Sequence, residues 1–393
     1  MKTLLLTRRS ALINASAVAT STLLPGPALG QVRGNKILIA GATGVVGHTA
    51  LEHFAALSGW DVVAISRSKP QYNAAYTHIV VDLTDEVRCR EVFGQMSDIT
   101  HVVYTALHDR AGPIKDRQAD VQLDTNYRML RNLLEPLKVT AKNLKSVIIL
   151  QGTKAYGVHI QPFKAPAKER WPRFDHDNFY FLQEDYLKDA QIGQSWGWTV
   201  FRPQTIFGFA VGKSMNLIPV IGALAAICRE EGKPLVFPGT SNSVLEATDS
   251  RLLARAFEWA GIEEEARNEI FNIANGDIFI WPHVWPSIAD ALKIETVEGE
   301  PFLVHQYFKD KANVWDEVVQ KHGLLPLTLS ELVGQSDFFS DVGFTFAAQQ
   351  SMPGLVSTIK IRQAGFHEYF DTEDAFRYWF DLYAERGLLP KVR

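Results

Sequence analysis

A glycine-rich turn between a predicted strand and a predicted helix constrains the fold of this chain more than any other feature. Residues 36–47 read KILIAGATGVVG, an apolar run that continues into Gly41, Gly44 and Gly47. A helical pattern follows over His48–Leu57. The first glycine permits a sharp turn, the second lets the backbone approach a ligand, and the third lets the helix pack closely on the strand. Because a helix N-terminus presents unpaired N–H groups, this stretch predicts binding of a dinucleotide pyrophosphate.

Apolar runs of strand length alternate with helical patterns from residue 36 to about residue 203. The runs are rich in Val and Ile and show no polar alternation, which is typical of strands buried on both faces. This pattern predicts an α/β fold with a Rossmann-type, doubly wound parallel sheet. The predicted strands are Lys36–Ala40, Asp61–Ser66, His78–Asp82, His101–Thr105, Ser146–Leu150 and Trp198–Arg202, and a helix is predicted around Leu123, Tyr127, Leu130, Leu134 and Leu137.

The pattern changes after Pro203. A helix is expected over Met215–Glu231, and further strands are expected at Leu235–Phe237, Ile270–Ala274 and Asp277–Trp281. Amphipathic helices dominate the remainder of the chain. We therefore predict an NAD(P)-binding domain over residues 31–203 and a mainly helical, substrate-binding part over residues 204–393. The substrate is expected in the crevice between the two parts.

The first thirty residues differ from the rest of the sequence. A short basic start contains Arg8 and Arg9, a mildly apolar stretch covers Ser10–Leu24, and small residues surround Leu29. This layout predicts a twin-arginine-like signal peptide over residues 1–30 and hence export to the periplasm of a bacterium. A cytosolic tail that carries two arginines by chance stays open as the alternative, and the protein would then be cytoplasmic.

The overall composition narrows the classes of partner. The chain has 40 basic and 44 acidic residues and a net charge of −4, so no nucleic-acid partner is expected. Its apolar stretches are too short for a membrane span, so no membrane partner is expected. The two cysteines stand far apart in the sequence and form neither a metal-binding motif nor a disulfide framework.

The end of the second predicted strand bears on the choice of cofactor. Proteins that bind NAD usually place an acidic residue there to contact the ribose 2′-hydroxyl. This chain instead has Ser66, Arg67, Ser68 and Lys69. An arginine fork suits a 2′-phosphate, so we predict NADPH in preference to NADH. The open alternative is that Arg67 and Lys69 are ordinary solvated charges.

The usual catalytic pair of short-chain dehydrogenases is missing from its expected place. That pair is a Tyr followed four residues later by a Lys on one helix face. Tyr307 and Lys311 have this spacing, but they lie in a charged stretch far beyond the predicted sheet. Tyr127 has Arg131 at the same spacing and belongs to the core-facing helix. The usual arrangement is therefore absent, and dehydrogenase chemistry in this chain would need another pair of residues.

Two segments offer a replacement. Gln151–Gly157 reads QGTKAYG after the fifth predicted strand, and Asn178–Asp185 reads NFYFLQED. These resemble the progesterone 5β-reductase / iridoid synthase family of atypical short-chain dehydrogenases, in which a Lys in a TGxKxY-like turn and a Tyr in NFYYxxED replace the usual pair. The resemblance implies catalytic roles for Lys154 and Tyr180. It extends to Phe201–Gly208, which resembles the family's stretch beside the nicotinamide.

The chain departs from the family pattern at Phe181, which replaces a second tyrosine, and at Thr153 and Ala155 beside the lysine. These departures affect the expected substrate range more than the fold. The cofactor contacts are predicted from three sources: the glycine turn, the ends of the predicted strands, including the third and fourth, and the resemblance to the family. The set is Gly41, Thr43, Gly44, Val45, Val46, Gly47, Ser66, Arg67, Ser68, Asp82, Leu83, Tyr104, Thr105, Ala106, Gln151, Lys154, Tyr180, Pro203 and Ile206.

The resemblance implies NADPH-dependent reduction of activated C=C bonds in a small-molecule enone or enal. Tyr180, aided by the charge of Lys154, would hydrogen-bond the carbonyl oxygen as it becomes an enolate. The non-catalytic alternatives also stay open: Tyr180 would be a buried aromatic residue of the core, and Lys154 would be a solvated loop lysine. An epimerase/dehydratase or carbonyl reductase of the extended type, and a non-catalytic NADP-binding sensor, stay open as functions. A homodimer stays open as the assembly.

Overall fold

A seven-stranded parallel sheet organises the structure, which is a computed structural model. It describes residues 34–70, 72, 74–108, 120–161, 164–345 and 354–392, and these residues form one compact unit. The predicted signal over residues 1–30 lies outside the described residues. The strands are β1 (Asn35–Ala40), β2 (Trp60–Ser66), β3 (Thr77–Val80), β4 (His101–Tyr104), β5 (Ser146–Leu150), β6 (Gly197–Pro203), β7 (Thr205–Phe207), β8 (Leu235–Val236), β9 (Ala247–Asp249), β10 (Glu269–Ile273) and β11 (Thr296–Val297). The large sheet has the strand order β3-β2-β1-β4-β5-β6-β10.

Helices cover both faces of the large sheet and form most of the C-terminal half. They are α1 (Val45–Ala56), α2 (Glu86–Phe93), α3 (Asp120–Thr140), α4 (Phe179–Gln191), α5 (Leu217–Glu230), α6 (Ser250–Ile262), α7 (Trp281–Ala291), α8 (Val304–Phe308), α9 (Ala312–His322), α10 (Leu329–Val333), α11 (Ser336–Thr345), α12 (Ile359–Gln363) and α13 (Thr372–Glu385). Among the described residues, no helix combines the length and apolar character needed to cross a membrane.

The strands of the sheet bury both of their faces. In β1, Ile37 and Ile39 pack into a core with α1 and α6, while Leu38 and Ala40 pack into a second core with α2, α3 and α4. Successive side chains of a strand point to opposite faces, so a strand covered on both sides must be apolar throughout. The predicted α/β fold with a doubly wound parallel sheet is confirmed.

The predicted element boundaries are close to those observed, with one clear error. All six strands predicted before Pro203 are present, although β3 ends at Val80 rather than Asp82. The strand predicted over Asp277–Trp281 is wrong: Phe279 forms an isolated bridge with Leu245, and Trp281 starts helix α7. Pro282 explains the difference, because proline has no N–H for a strand ladder and fits the first turn of a helix.

The C-terminal half builds a third core around α5, whose residues 217–228 are all buried. Helix α5 contacts α9, α11 and α13, so the mainly helical character predicted for this half is present. Strand β10 and helix α6 come from beyond residue 203 and complete the large sheet and one of its helical layers. The division of the chain at residue 203 stays a prediction.

The turn between β1 and α1 requires glycine at two positions. Gly41 has a φ of +85°, and a Cβ there would lie 2.7 Å from the backbone nitrogen of Ala106. A Cβ on Gly47 would overlap the carbonyl oxygen of Gly41 and would lie 2.7 Å from Oγ1 of Thr105. The glycines therefore let the first turn of α1 pack against the end of β4.

A buried carboxylate ties helix α4 to the carboxyl ends of β5 and β6. Glu184 accepts hydrogen bonds from Gln151 Nε2 (2.9 Å), Arg202 Nη2 (3.2 Å), Arg173 Nη2 (2.8 Å) and Lys188 Nζ (2.6 Å). Burial alone would raise the pKa of this carboxyl, but the hydrogen bonds from Lys188, Arg173 and Gln151 lower it to about 2. Arg202 also donates from Nε to Gln151 Oε1 at 2.7 Å. Each buried charge in this network therefore has a partner.

The substitution Gly47→Ala is expected to destabilise the protein by about 1–3 kcal/mol, because the added methyl group has no space against the Gly41 carbonyl. The matched control is Gly343→Ala, also within a helix, where the nearest atom to an added Cβ is a Leu217 methyl at 3.7 Å. The control is expected to be neutral or stabilising. Urea unfolding of both variants measures the difference, and equal effects would contradict the close packing at Gly47.

The substitution Glu184→Gln is expected to lower the free energy of unfolding at neutral pH by about 3–5 kcal/mol, because it leaves buried Arg202 without its carboxylate. Since the pKa falls from 4.5 to about 2 on folding, the wild-type carboxylate stabilises the protein above pH 4.5. That contribution is lost as the pH falls from 4.5 through about 2. Urea unfolding across this range should show a shallower acid limb for the variant.

The control for this experiment is Glu86→Gln, which removes an exposed ion pair with Arg90. Exposed pairs contribute about 1 kcal/mol or less, so this variant should keep the wild-type acid limb. An acid limb of equal steepness in Glu184→Gln and wild type would show that the buried carboxylate does not govern acid stability.

Candidate active site

A cavity of about 1060 Å³ opens at the carboxyl ends of the parallel strands, where the sheet meets the helical half. The lining includes the glycine turn, the ends of β2, β4, β5 and β6, the start of α4, and loops of the C-terminal half. Ligands of open α/β sheets bind at this edge, in the crevice where the strand order reverses. The crevice predicted from the sequence is therefore present, and its volume exceeds that needed by one small ligand.

Most of the predicted cofactor contacts line this one cavity. They are Gly41, Thr43, Gly44, Val45, Val46, Ser66, Arg67, Asp82, Leu83, Tyr104, Thr105, Ala106, Gln151, Lys154, Tyr180, Pro203 and Ile206. Gly47 and Ser68 do not line it. Gly47 acts one layer behind, in the packing of α1, and the carbonyl of Ser68 accepts a hydrogen bond from Ser66 Oγ at 2.7 Å. Their contribution is to the shape of the two turns.

The glycine turn, in the middle part of the cavity, fits a dinucleotide phosphate. The cavity wall here is formed mainly by backbone, because Gly41 and Gly44 carry no Cβ. The Thr105 hydroxyl donates a hydrogen bond to the Ala40 carbonyl at 2.8 Å. The N-terminus of α1 begins at Val45, directly after the turn, and presents its first N–H groups there. This cradle is consistent with the predicted cofactor class.

The next part of the cavity lies at the ends of β2 and β3. Arg67 is exposed there, and no acidic residue ends β2. Asp82 Oδ1 accepts hydrogen bonds from the backbone N–H of Thr84 (2.9 Å) and from its hydroxyl (2.8 Å). The backbone hydrogen bond of Thr84 is the largest cause that lowers the pKa of Asp82, and Arg67 also lowers it. Asp82 is thus ionised and oriented at neutral pH.

The opposite end of the cavity brings Tyr180 and Lys154 together on its lining. Asn178 caps α4 by accepting from the backbone N–H of Tyr180 at 3.0 Å, which fixes the first turn of that helix. A Cβ added to Gly152 would lie 3.3 Å from the Tyr180 hydroxyl and 3.8 Å from the Pro203 carbonyl oxygen. Lys154 follows in the short 3₁₀ turn Thr153–Tyr156. The phenol therefore sits between the ends of β5 and β6, beside the turn that carries the lysine.

The electrostatics of this end favour neutral hydrogen-bonding groups. Burial raises the pKa of Tyr180 to about 12, so its phenol stays protonated and can donate a hydrogen bond. Burial lowers the pKa of His159 to about 4, and the charge of Lys154 is the next largest cause. His159 is therefore neutral at pH 7 and lies within the electrostatic reach of Lys154. The site can supply a phenol donor and a cation to an oxygen that gains negative charge.

Three polar residues on the cavity lining were not identified as site residues by the sequence analysis. His159 has a buried Nδ1 without a hydrogen-bond partner among the described residues. Glu246 accepts from the Val356 N–H (2.7 Å) and Gln204 Nε2 (3.3 Å), and burial raises its pKa. Lys213 reaches the lining from the loop before α5. These residues belong to no short motif, so only the tertiary structure reveals them.

The Tyr307 and Lys311 pair does not line the cavity. Both side chains bind Glu231, with the Tyr307 hydroxyl at 2.8 Å and Lys311 Nζ at 2.6 Å from its carboxylate oxygens. The spacing found in the sequence therefore corresponds to a structural ion-pair cluster.

Comparison with known proteins finds a family and relatives that match most of the chain. The family of PRISE-like Rossmann-fold domains matches residues 79–390. An (S)-8-oxocitronellyl enol synthase of Antirrhinum majus is 34% identical over 362 residues, covering 86% of this chain and 89% of that protein. A 3-oxo-Delta(4,5)-steroid 5-beta-reductase of Arabidopsis thaliana is 32% identical over 377 residues, covering 90% and 92% respectively.

Solved structures of lower sequence identity share the fold. UDP-glucose 4-epimerase from Bifidobacterium longum, in complex with NAD+ and UDP, aligns with a TM-score of 0.61 at 16% identity over 90% of this chain and 98% of that chain. UDP-glucose 4-epimerase from Thermotoga maritima aligns with a TM-score of 0.61 at 15% identity over 89% and 99%. This chain thus shares its fold with these epimerases, and by its sequence it belongs to the PRISE-like Rossmann-fold family.

Proposed function

We propose that this protein is an NADPH-dependent oxidoreductase that reduces activated C=C bonds of enones or enals by 1,4-reduction. One observation carries the proposal: Tyr180 and Lys154 line the same cavity as the glycine turn. A dinucleotide whose pyrophosphate lies at the turn would extend its nicotinamide half along the strand ends toward this pair. The names of the relatives, an enol synthase and a steroid 5-beta-reductase, support chemistry in which an enolate oxygen develops charge.

NADPH, when bound, would supply the hydride that adds to the β-carbon of the substrate. The electrons of the C=C bond then shift toward the carbonyl group, so an enolate oxygen forms on the substrate. The Tyr180 hydroxyl donates a hydrogen bond to this oxygen, and the ammonium group of Lys154 adds positive charge nearby. A proton from solvent completes the reaction at the α-carbon. No strong acid is needed, which is consistent with the raised pKa of Tyr180.

The residues that would hold the cofactor follow the order of the strands. The turn at Gly41 and Gly44 would hold the pyrophosphate against the N–H groups that start α1, and Arg67 would bind the ribose 2′-phosphate. Asp82 would accept from the adenine amino group. Pro203 and Ile206 would lie beside the nicotinamide. The exposed Arg67 and the lack of an acid at the end of β2 support NADPH over NADH.

The substitution Tyr180→Phe is expected to lower kcat roughly 10²–10³-fold, because it removes the donor to the enolate oxygen. NADPH oxidation at 340 nm with 2-cyclohexen-1-one or a larger enone measures turnover. The matched control is Tyr186→Phe on the same helix, whose hydroxyl binds Glu135 at 2.9 Å and which does not line the cavity. Lys154→Met should also lose activity, while exposed Lys142→Met should not.

Full turnover in Tyr180→Phe would show that the Tyr180 hydroxyl is not the donor to the enolate oxygen. Tight binding of NADP without oxidation of NADPH by any enone would favour a non-catalytic sensor. Conversion of a nucleotide sugar without net NADPH oxidation would favour an epimerase, although the proteins with that activity share only the fold with this chain.

The pH dependence of kcat/KM offers a separate test. Because Tyr180 acts as a protonated donor with a pKa of about 12, its contribution should persist as the pH rises and vanish only near that value. We therefore expect no loss of kcat/KM from Tyr180 between about pH 7 and about pH 10. An alkaline limb in this range that remains in Lys154→Met but is absent in Tyr180→Phe would contradict a neutral phenol donor.

A further inference from the structure

Lys213 lines the cavity but takes no part in the function proposed above. It lies in the loop between β7 and α5, in the helical half of the chain. Arg67, at the end of β2, lines the same cavity from the sheet side. The two cations therefore face a common space, one contributed by each half of the structure.

The backbone at Lys213 is held in place by the turn between α10 and α11. The N–H of Gly212 donates to the Leu332 carbonyl at 3.0 Å, and Ser336 Oγ donates to the Lys213 carbonyl at 2.6 Å. The N–H of Asn216 donates to the same Ser336 hydroxyl at 3.0 Å. A Cβ on Gly334 would lie 3.0 Å from the Lys213 nitrogen. These contacts fix the point from which the Lys213 side chain extends.

The start of the same loop crosses the first turns of α1. A Cβ on Gly208 would lie 2.8 Å from a methyl group of Val45, and the Phe209 ring lies 4.9 Å from the His48 ring, centroid to centroid. Val45 is the first residue of α1, directly after the glycine turn. The loop that carries Lys213 therefore packs on the element that would hold the cofactor pyrophosphate.

Lys213 and Arg67 are both positively charged and repel each other. Burial lowers the pKa of Lys213, and Arg67 lowers it further. Within the part of the chain that the structure describes, neither side chain forms an ion pair. Asp82 lies within the electrostatic reach of Arg67, but its Oδ1 is already engaged by Thr84. Two like charges at the edge of one cavity repel each other unless an anion lies between them.

We propose that Lys213 and Arg67 together bind the 2′-phosphate of NADPH, so that Lys213 is a second residue that selects NADPH over NADH. The proposal rests on the cofactor assignment of the proposed function. A phosphate with more than one negative charge suits two cations, one an arginine fork and the other a compact ammonium group. The loop of the helical half would thereby bind the adenosine end of the cofactor, while Tyr180 and Lys154 act at the other end.

The test measures dissociation constants for NADPH and NADH by fluorescence titration of wild type, Lys213→Met and Arg67→Met. The matched control is Lys309→Met, which removes an exposed charge after α8, outside the cavity. We expect Lys213→Met to raise the Kd for NADPH roughly ten- to one-hundred-fold, as for a lost charge-assisted hydrogen bond. Its Kd for NADH should change little, and Lys309→Met should match wild type for both.

Thermal unfolding without and with NADPH separates this role from a structural one. Lys213→Met should leave the melting temperature of the cofactor-free protein unchanged or higher, because it removes repulsion with Arg67. The shift that NADPH produces should become smaller. Lys213→Arg keeps the charge and should keep most of the preference for NADPH, which guards against a variant that merely folds poorly.

Equal losses of NADPH and NADH affinity in Lys213→Met would place Lys213 at the pyrophosphate and overturn the shared 2′-phosphate. Unchanged NADPH affinity in this variant, with tight binding by wild type, would overturn the inference while leaving the proposed function intact. A wild-type protein that binds NADH but not NADPH would overturn both the cofactor assignment and the role of Lys213.

Discussion

The geometry of the candidate active site depends on the hydrogen bonds that the buried carboxylate of Glu184 accepts. It connects helix α4 to Gln151 after β5 and to Arg202 in β6. The same amide nitrogen of Gln151 donates to the carbonyl oxygen of Tyr180 at 3.1 Å. The first turn of α4 and the strand end that leads to Lys154 are thus held by one network. A shift of either element would leave a buried charge without its partner, which is costly.

This network continues to the far edge of the sheet. The Arg202 guanidinium lies 5.1 Å from the centre of the Tyr156 ring, and the Tyr156 hydroxyl donates to Asn272 Oδ1 at 2.7 Å. Asn272 belongs to β10, and its backbone N–H donates to Glu169 at 2.8 Å. The turn that carries Lys154 is therefore supported from behind by three strands. Such support matters because a hydrogen-bond donor stabilises a developing charge only when its position is fixed in advance.

The parts of the fold that the sequence predicted are those encoded by local patterns. The apolar strands and the glycine turn each need only a few neighbouring residues, and Gly41 and Gly47 occupy the positions where a Cβ would collide. The Glu184 network could not be predicted, because its partners Gln151 and Arg202 lie 33 and 18 residues away in the sequence. The error at Asp277–Trp281 arose because an apolar, aromatic run was read as a strand although Pro282 follows it.

The cavity is lined on one side by the ends of the sheet strands and α4, and on the other side by loops of the C-terminal half. The proposed catalytic pair, Tyr180 and Lys154, is held by the sheet and α4, whereas Glu246 and Gln204 bind a segment of the C-terminal half that reaches the lining at Gly354. Glu246 accepts from the Val356 N–H, and Gln204 Nε2 donates to the Gly354 carbonyl. These contacts join segments more than a hundred residues apart, so the lining that faces a substrate depends on tertiary packing rather than on a motif. In the proposed function, the sheet side determines the reaction class and the helical side determines the substrate, so Tyr180 and Lys154 would support enone reduction without selecting a particular enone.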